Sequence, residues 1–136
     1  DFEITPAHLE AAADAQQLQI RAGDVVLLRT GWARFWDDAA RFIAQVHGPG
    51  PGAAGARWLS SHGIFAAGSD TVAFEKVPDS NMPVHVHLLV ESGIHIIECL
   101  NLEQLAAEHR YTFLFVATPL KILGGTGSPI RPLAIA

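Results

Sequence analysis

The sequence is poor in cysteine, with Cys99 the only one among 136 residues. A single thiol excludes an internal disulfide and any paired-cysteine zinc or redox motif. Long apolar runs are also missing, since no stretch reaches the roughly 18 residues that a membrane-spanning helix requires, and no secretory signal pattern is visible. These absences predict a cytoplasmic protein with no membrane partner.

Positive charge is scarce too, because nine Lys and Arg face fourteen Asp and Glu, for a formal net charge of −5. Nucleic acids and anionic membranes bind basic surfaces, so neither is expected as a partner. Charged residues make up only 17% of the chain, against about a quarter in typical domains. This shortage predicts an oligomer or a missing part of the protein, and a start at Asp1 without Met predicts a removed leader or a fragment.

The chain does contain a regular alternation of helix and strand patterns. Its apolar content of 49% is enough for one core at this length. The alternation predicts a single α/β domain with a mostly parallel sheet, and the lack of a helix between the last two strands predicts some mixed pairing. Strands are predicted at 25–28, 64–70, 94–100, 111–119 and 130–136, and helices at 6–17, 33–46, 56–61, 81–92 and 102–109.

A glycine-rich loop fits the spacing G-x-G-x-x-G at Gly50, Gly52 and Gly55, with Asp70 at the end of the following strand. A dinucleotide-binding fingerprint needs this loop directly after a strand, but here a predicted helix precedes it. The two prolines of the loop also remove backbone N–H donors that would hold pyrophosphate. The loop is therefore predicted to be structural, and nucleotide binding ranks last among the candidate functions.

The stretch HVHLLVESGIHIIE, residues 85–98, places ionisable groups in an apolar neighbourhood. His85 lies three and four residues before two leucines, so its imidazole is expected on the packed face of a helix. Glu98 shares a strand face with Ile94 and Ile96, near the carboxyl end of that strand. Ligands bind at this end of parallel sheets, so His85 and Glu98 are candidate ligands of one metal ion.

Each of these residues also has a simpler interpretation. His85 alone is typical of a hydrogen-bonded core or interface histidine, and Glu98 could cap a strand end or pair with an arginine, either Arg29 or Arg131. His87 and His95 are expected at the surface or at a subunit contact, although His87 remains an alternative ligand to His85. The aromatic residues Trp32, Phe35, Trp36 and Phe74 fit either an aryl-binding pocket or the core.

Four blocks of the sequence resemble the cyclase family of metal-dependent hydrolases, which includes bacterial kynurenine formamidase and isatin hydrolase. The blocks are GDVVLLRTGW, WLSSHGIFAAGSDT, MPVHVHLLVESGIHIIECLNLEQL and PLKILGGTGSPIRPLAIA, in this order. The resemblance implies a swivelling β/β/α fold with a mixed, mostly parallel sheet or small barrel, and assembly as a homodimer or tetramer. It also implies hydrolysis of an amide, formamide or lactam C–N bond in a small molecule, with zinc or manganese. His85 matches the family's late histidine ligand, and Glu98 matches its late acidic ligand.

The principal metal motif of the family, His-x-Gly-Thr-His-x-Asp, has no counterpart in residues 1–136. A catalytic zinc typically has three protein ligands, so one histidine and one glutamate are too few. The chain is therefore predicted to be the C-terminal part of such a hydrolase, incomplete and inactive alone, with no catalytic base assigned. The alternative is a non-catalytic domain, a pseudoenzyme or oligomeric binding module that kept the fold.

Overall fold

The computed structural model describes residues 2–136, which form a mixed α/β structure with mostly parallel strand pairing. The helix after α3 begins as α4 and continues directly as a π-helical turn. A 3₁₀ turn, Trp32–Phe35, lies between β2 and α2. The strands and helices are β1 Glu3–Ile4, α1 Pro6–Ala15, β2 Val25–Leu28, α2 Ala39–Ala44, β3 Gly50–Pro51, α3 Ala53–Ser61, β4 Ala66–Ser69, α4 Pro83–His85 with the π turn Val86–Glu91, β5 His95–Ile97, α5 Glu103–Ala107, β6 Leu114–Val116 and β7 Leu133–Ile135.

A three-stranded parallel sheet in the order β2-β4-β5 is the centre of the fold. The middle strand has the sequence AAGS and is fully buried. Its residues are small because side chains from both neighbours cross over it. A Cβ on Gly68 would lie 2.8 Å from a methyl group of Leu27 and 2.8 Å from one of Leu100.

One face of this sheet packs against α1, α3 and the helix that contains His85. The buried core cluster consists of Leu9, Ala56, Leu59, Ile64, Ala67, Phe74, Val84, Leu88 and Ile94. Val84 and Leu88 come from the π-containing helix and are completely buried. Because they anchor that helix to the sheet, His85 is held beside the carboxyl ends of β4 and β5.

The predicted helix over 33–46 is divided in two, which corrects the expectation from its amphipathic pattern. The 3₁₀ turn ends at Phe35, and α2 begins only at Ala39. Asp38 separates them because its carboxylate accepts a hydrogen bond from Arg41 N at 3.1 Å, as an N-cap. The α1, β2 and α3 elements lie where the sequence predicts them, whereas the two-residue strands β1 and β3 are not predicted.

The last two strands pair antiparallel, as the missing connecting helix predicts. They form a separate two-stranded sheet, and β1 with β3 forms another. Within residues 2–136 the strands do not close into a barrel, so the mixed sheet, and not the small barrel, describes this chain. Over the same residues, no helix is long and apolar enough to cross a membrane.

Asp70, directly after β4, connects the middle strand to the loop that follows β2. Its Oδ1 accepts hydrogen bonds from Thr30 N at 2.8 Å and Thr30 Oγ1 at 2.7 Å, and its Oδ2 accepts from Gly31 N at 2.8 Å. Asp70 is completely buried. It therefore has a structural role at the carboxyl edge of the sheet, and not the ribose-binding role of a dinucleotide fingerprint.

The glycine-rich loop is structural as well, as predicted, and it supports the segment after Asp70. Gly50 lies so close to this segment that a Cβ would clash with the backbone of Phe74 and Glu75. Lys76 N donates to Pro51 O at 3.0 Å across the same contact. Glycine is needed at position 50 because the two backbones touch there.

We expect Asp70→Asn to lower the free energy of unfolding by about 2–4 kcal/mol, because the amide group would face backbone N–H donors and replace a charged acceptor. Urea unfolding followed by circular dichroism measures the change. Asp37→Asn, at an exposed position, is the matched control and should change stability by less than about 0.5 kcal/mol. Equal effects of the two substitutions would contradict the anchoring role of Asp70.

Candidate metal centre

Three ionisable side chains meet at the carboxyl edge of the parallel sheet: Glu75, His85 and Glu98. Glu75 lies in the loop after β4, Glu98 directly follows β5, and His85 is the last residue of α4. The imidazole lies between the two carboxylates. His85 Nδ1 is 3.3 Å from Glu75 Oε1, and His85 Nε2 is 3.4 Å from Glu98 Oε1.

The two carboxylates differ in exposure. The side chain of Glu75 is 2% exposed, and that of Glu98 is 32% exposed. Glu98 Oε1 also accepts a hydrogen bond from Phe74 N at 2.7 Å, which fixes its orientation. The Nε2 side of the imidazole therefore faces the accessible part of the cluster, and the Nδ1 side faces the protein interior.

Glu75 Oε1 accepts hydrogen bonds from the start of the helix that carries His85. Val84 N lies at 3.2 Å and His85 N at 3.3 Å. These N–H groups belong to the first turn after Pro83, where backbone donors have no partner within a helix. Glu75 Oε2, in contrast, is buried without a hydrogen-bond partner.

The hydrogen bond to Glu98 raises the pKa of His85 above its ordinary value, and Glu75 adds to the effect against the opposing influence of burial. The pKa of the neighbouring Cys99 thiol is also raised, first by burial and then by the charge of Glu98. Negative charge therefore governs this part of the protein, and a cation is favoured there.

The donor set fits part of a divalent metal site. Two carboxylates face one imidazole, so the fully ionised cluster retains one uncompensated negative charge even when His85 is protonated. Ligand atoms about 2.0–2.1 Å from a tetrahedral zinc lie roughly 3.3–3.4 Å apart, which matches the separation of His85 Nε2 and Glu98 Oε1. Within the described chain, no group of three or more His, Cys, Asp or Glu side chains has the arrangement of a complete metal site.

Comparisons with known proteins agree with this geometry. Residues 1–76, more than half of the chain, match the family described as "Putative cyclase". The chain is 34% identical over 143 aligned residues to an isatin hydrolase of Roseibium aggregatum, covering 99% of this chain and 53% of that protein. The chain belongs to the cyclase family. Its position as a cyclase confirms the resemblance and fold class predicted from the four sequence blocks.

Two solved structures show the same cyclase fold. The crystal structure of a novel cyclase superposes with a TM-score of 0.91 at 34% identity, covering 99% of this chain and 46% of that one. A protein described as a potential metal-dependent hydrolase with cyclase activity superposes with a TM-score of 0.70 at 26% identity, covering 97% of this chain and 57% of that one. The chain thus spans about half the length of the relatives it matches.

The structure brings together the two cyclase residues that the sequence singles out, His85 and Glu98, and their role as metal ligands stays a prediction. His87 points elsewhere, because its Nε2 lies 2.8 Å from Ser60 Oγ and its Nδ1 lies 2.7 Å from Glu91 Oε2. His95 is exposed on β5, as expected.

The alternatives considered for the other residues are also decided. Arg29 does not pair with Glu98, since it forms a two-bond ion pair with Glu103 at 2.7 and 2.9 Å. Phe74 is a core residue. Trp36, in contrast, is 55% exposed and packs edge-on against Phe42, so the expectation that the GWARFW segment faces the core is wrong at that position.

Glu75 is the site residue that the sequence analysis missed. The rule that pointed to Glu98, namely that ligands gather at the carboxyl ends of parallel strands, applies equally to the loop after β4. The sequence SDTVAFEK, residues 69–76, carries two acidic residues there. The signal was present, but five residues separate Glu75 from Asp70, so only the fold shows that it returns to the helix.

In the metal-free cyclase, Glu98→Gln should lower the pKa of His85 toward about 6.5, because it removes the charged hydrogen-bond acceptor. The stabilisation from the raised pKa is fully present below the unfolded-state pKa and disappears as the pH rises through the folded-state value. The wild type should therefore exceed the variant in stability more at pH 5.5 than at pH 9. An NMR titration of the imidazole and urea unfolding at both pH values measure the effect.

The control for that titration is Glu103→Gln, whose carboxylate pairs with Arg29 and not with an imidazole. It should leave the pKa of His85 in place. An unchanged pKa of His85 in the Glu98 variant would show that the contact between the two side chains does not persist in solution.

Proposed function

We propose that this cyclase is part of a metal-dependent hydrolase that cleaves a C–N bond in a small molecule. The observation that carries the proposal is the convergence of His85 Nε2 and Glu98 Oε1 to 3.4 Å at the carboxyl edge of the sheet. Relatives support it, since one is named an isatin hydrolase and another is described as a potential metal-dependent hydrolase. The substrate class that we propose is an amide, formamide or lactam, because isatin is a cyclic amide.

In this proposal, His85 and Glu98 hold one divalent cation, either zinc or manganese, since imidazole and carboxylate ligands suit both. When bound, the cation supplies Lewis-acid polarisation of the substrate carbonyl and a more acidic water. Phe74 N fixes one oxygen of Glu98, and the core packing of Val84 and Leu88 fixes the helix of His85. The chain thus provides two oriented ligands.

The remaining ligands and the proton-transfer group, in this proposal, come from polypeptide outside the chain. Two protein ligands fall short of the three that are typical of a catalytic zinc. The His-x-Gly-Thr-His-x-Asp motif of the family is not found in residues 1–136, and the relatives are about twice as long. We accordingly propose that the chain corresponds to the C-terminal part of the enzyme and is inactive alone.

We also propose assembly as a homodimer or tetramer. The antiparallel sheet of β6 and β7 supports this, because one of its faces is apolar and exposed. Leu114 pairs with Ile135, and Val116 pairs with Leu133, so these four side chains lie on one face. All four are 39–62% exposed, and contiguous apolar patches of this kind mark protein contacts.

The function is tested by Glu98→Ala and His85→Ala in the full-length protein. Each substitution removes one ligand, so metal content and hydrolysis of a lactam such as isatin should fall together. We expect the loss of activity to be at least 100-fold and the metal content, measured by mass spectrometry, to fall below half of the wild-type value.

Glu103→Ala is the matched control, because it removes a carboxylate at the same edge of the sheet that pairs with Arg29. Wild-type metal content and full activity in the Glu98 variant would end the assignment. A wild-type protein that binds neither zinc nor manganese would instead favour the non-catalytic module.

A further inference from the structure

Glu75 has an unusual environment for a carboxylate. It is almost completely buried, no arginine or lysine is paired with it in the described residues, and one of its oxygens has no hydrogen-bond partner. The other oxygen faces three nitrogen atoms: Val84 N, His85 N and His85 Nδ1, at 3.2, 3.3 and 3.3 Å. Burying a carboxylate in this way is costly, so its position calls for a function.

We propose that Glu75 is a positioning residue that sets both the orientation and the protonated nitrogen of the His85 ring for cation binding. The proposal rests on the metal site proposed above. A carboxylate only accepts hydrogen bonds, so the ring nitrogen that faces Glu75 carries the proton. A neutral imidazole has one N–H, so Nε2 then presents its lone pair on the side of Glu98.

The geometry makes this control rigid. Because one oxygen binds the ring and the backbone of the same residue, rotation of the imidazole would break its contact with an acceptor that the helix start holds in place. Glu75 itself is fixed from behind, since the backbones of Gly50 and Pro51 press against the Phe74–Lys76 segment. Gln45 Oε1 accepts from Ala73 N at 2.9 Å and holds the preceding residues.

A purely structural role as a helix cap can be separated from positioning. The backbone N–H groups of Val84 and His85 need an acceptor oxygen, which a glutamine also provides. The ring benefits from the negative charge as well, because a charged acceptor strengthens the hydrogen bond and makes the ligating nitrogen more basic. Glu75→Gln therefore keeps the cap and weakens the control of the imidazole.

The test measures zinc affinity in the full-length protein by competition with a chelator. We expect Glu75→Gln to weaken zinc binding by about 10-fold, at the lower end of the 10–100-fold typical for such partners of metal ligands. In zinc-loaded protein, the Nδ1 proton of His85 should be protected from exchange in the wild type and less deshielded in the variant. The amide protons of Val84 and His85 should keep their exchange protection in both, which a merely structural effect would not allow.

Glu91→Gln is the matched control, because it weakens a similar carboxylate–imidazole contact on the same helix, between Glu91 and His87. It should change zinc affinity by less than twofold. Unchanged zinc affinity in the Glu75 variant, or loss of amide protection together with affinity, would overturn the positioning role and leave the hydrolase proposal in place. A wild-type protein that does not bind zinc or manganese would overturn both, and that outcome is distinct because the wild type itself would fail.

Discussion

Backbone N–H groups that bind buried carboxylates hold the carboxyl edge of the parallel sheet together. Asp70 accepts from the loop after β2, and Glu75 accepts from the start of the helix after Pro83. Both residues belong to the segment that follows the middle strand, so one stretch of chain connects β2, β4 and the helix. Charged acceptors make stronger hydrogen bonds than neutral ones, and at buried positions their loss is costly.

The proline-glycine loop is explained by the same segment. Gly50 and Pro51 run alongside Phe74–Lys76, and the absence of a side chain at position 50 allows the two backbones to touch. A spacing that resembles a phosphate-binding fingerprint thus has a packing origin. The loop contributes to the candidate metal centre only indirectly, by fixing the backbone from which Glu75 extends.

Much of this arrangement could be predicted from local patterns. Thr5 and Pro6 mark the start of α1, Val25–Leu28 form a strand, and the spacing of His85 and Glu98 places both near the same sheet edge. Glu75 could not be placed in this way, because its position depends on contacts with Gly50 and with the helix at Val84, which are 25 and 9 residues away. Likewise, the break between the 3₁₀ turn and α2 depends on Asp38 acting as a cap within an otherwise continuous amphipathic pattern.

The two outer ladders, β1 with β3 and β6 with β7, each have only two strands within residues 2–136. Two-stranded ladders are marginally stable in water, whereas β2, β4 and β5 are joined by a shared hydrophobic core on one face. Local opening should therefore begin at these ladders and reach the central sheet only on global unfolding. His85 and Glu98 sit on that late-opening part of the molecule, so their mutual orientation persists while the periphery fluctuates.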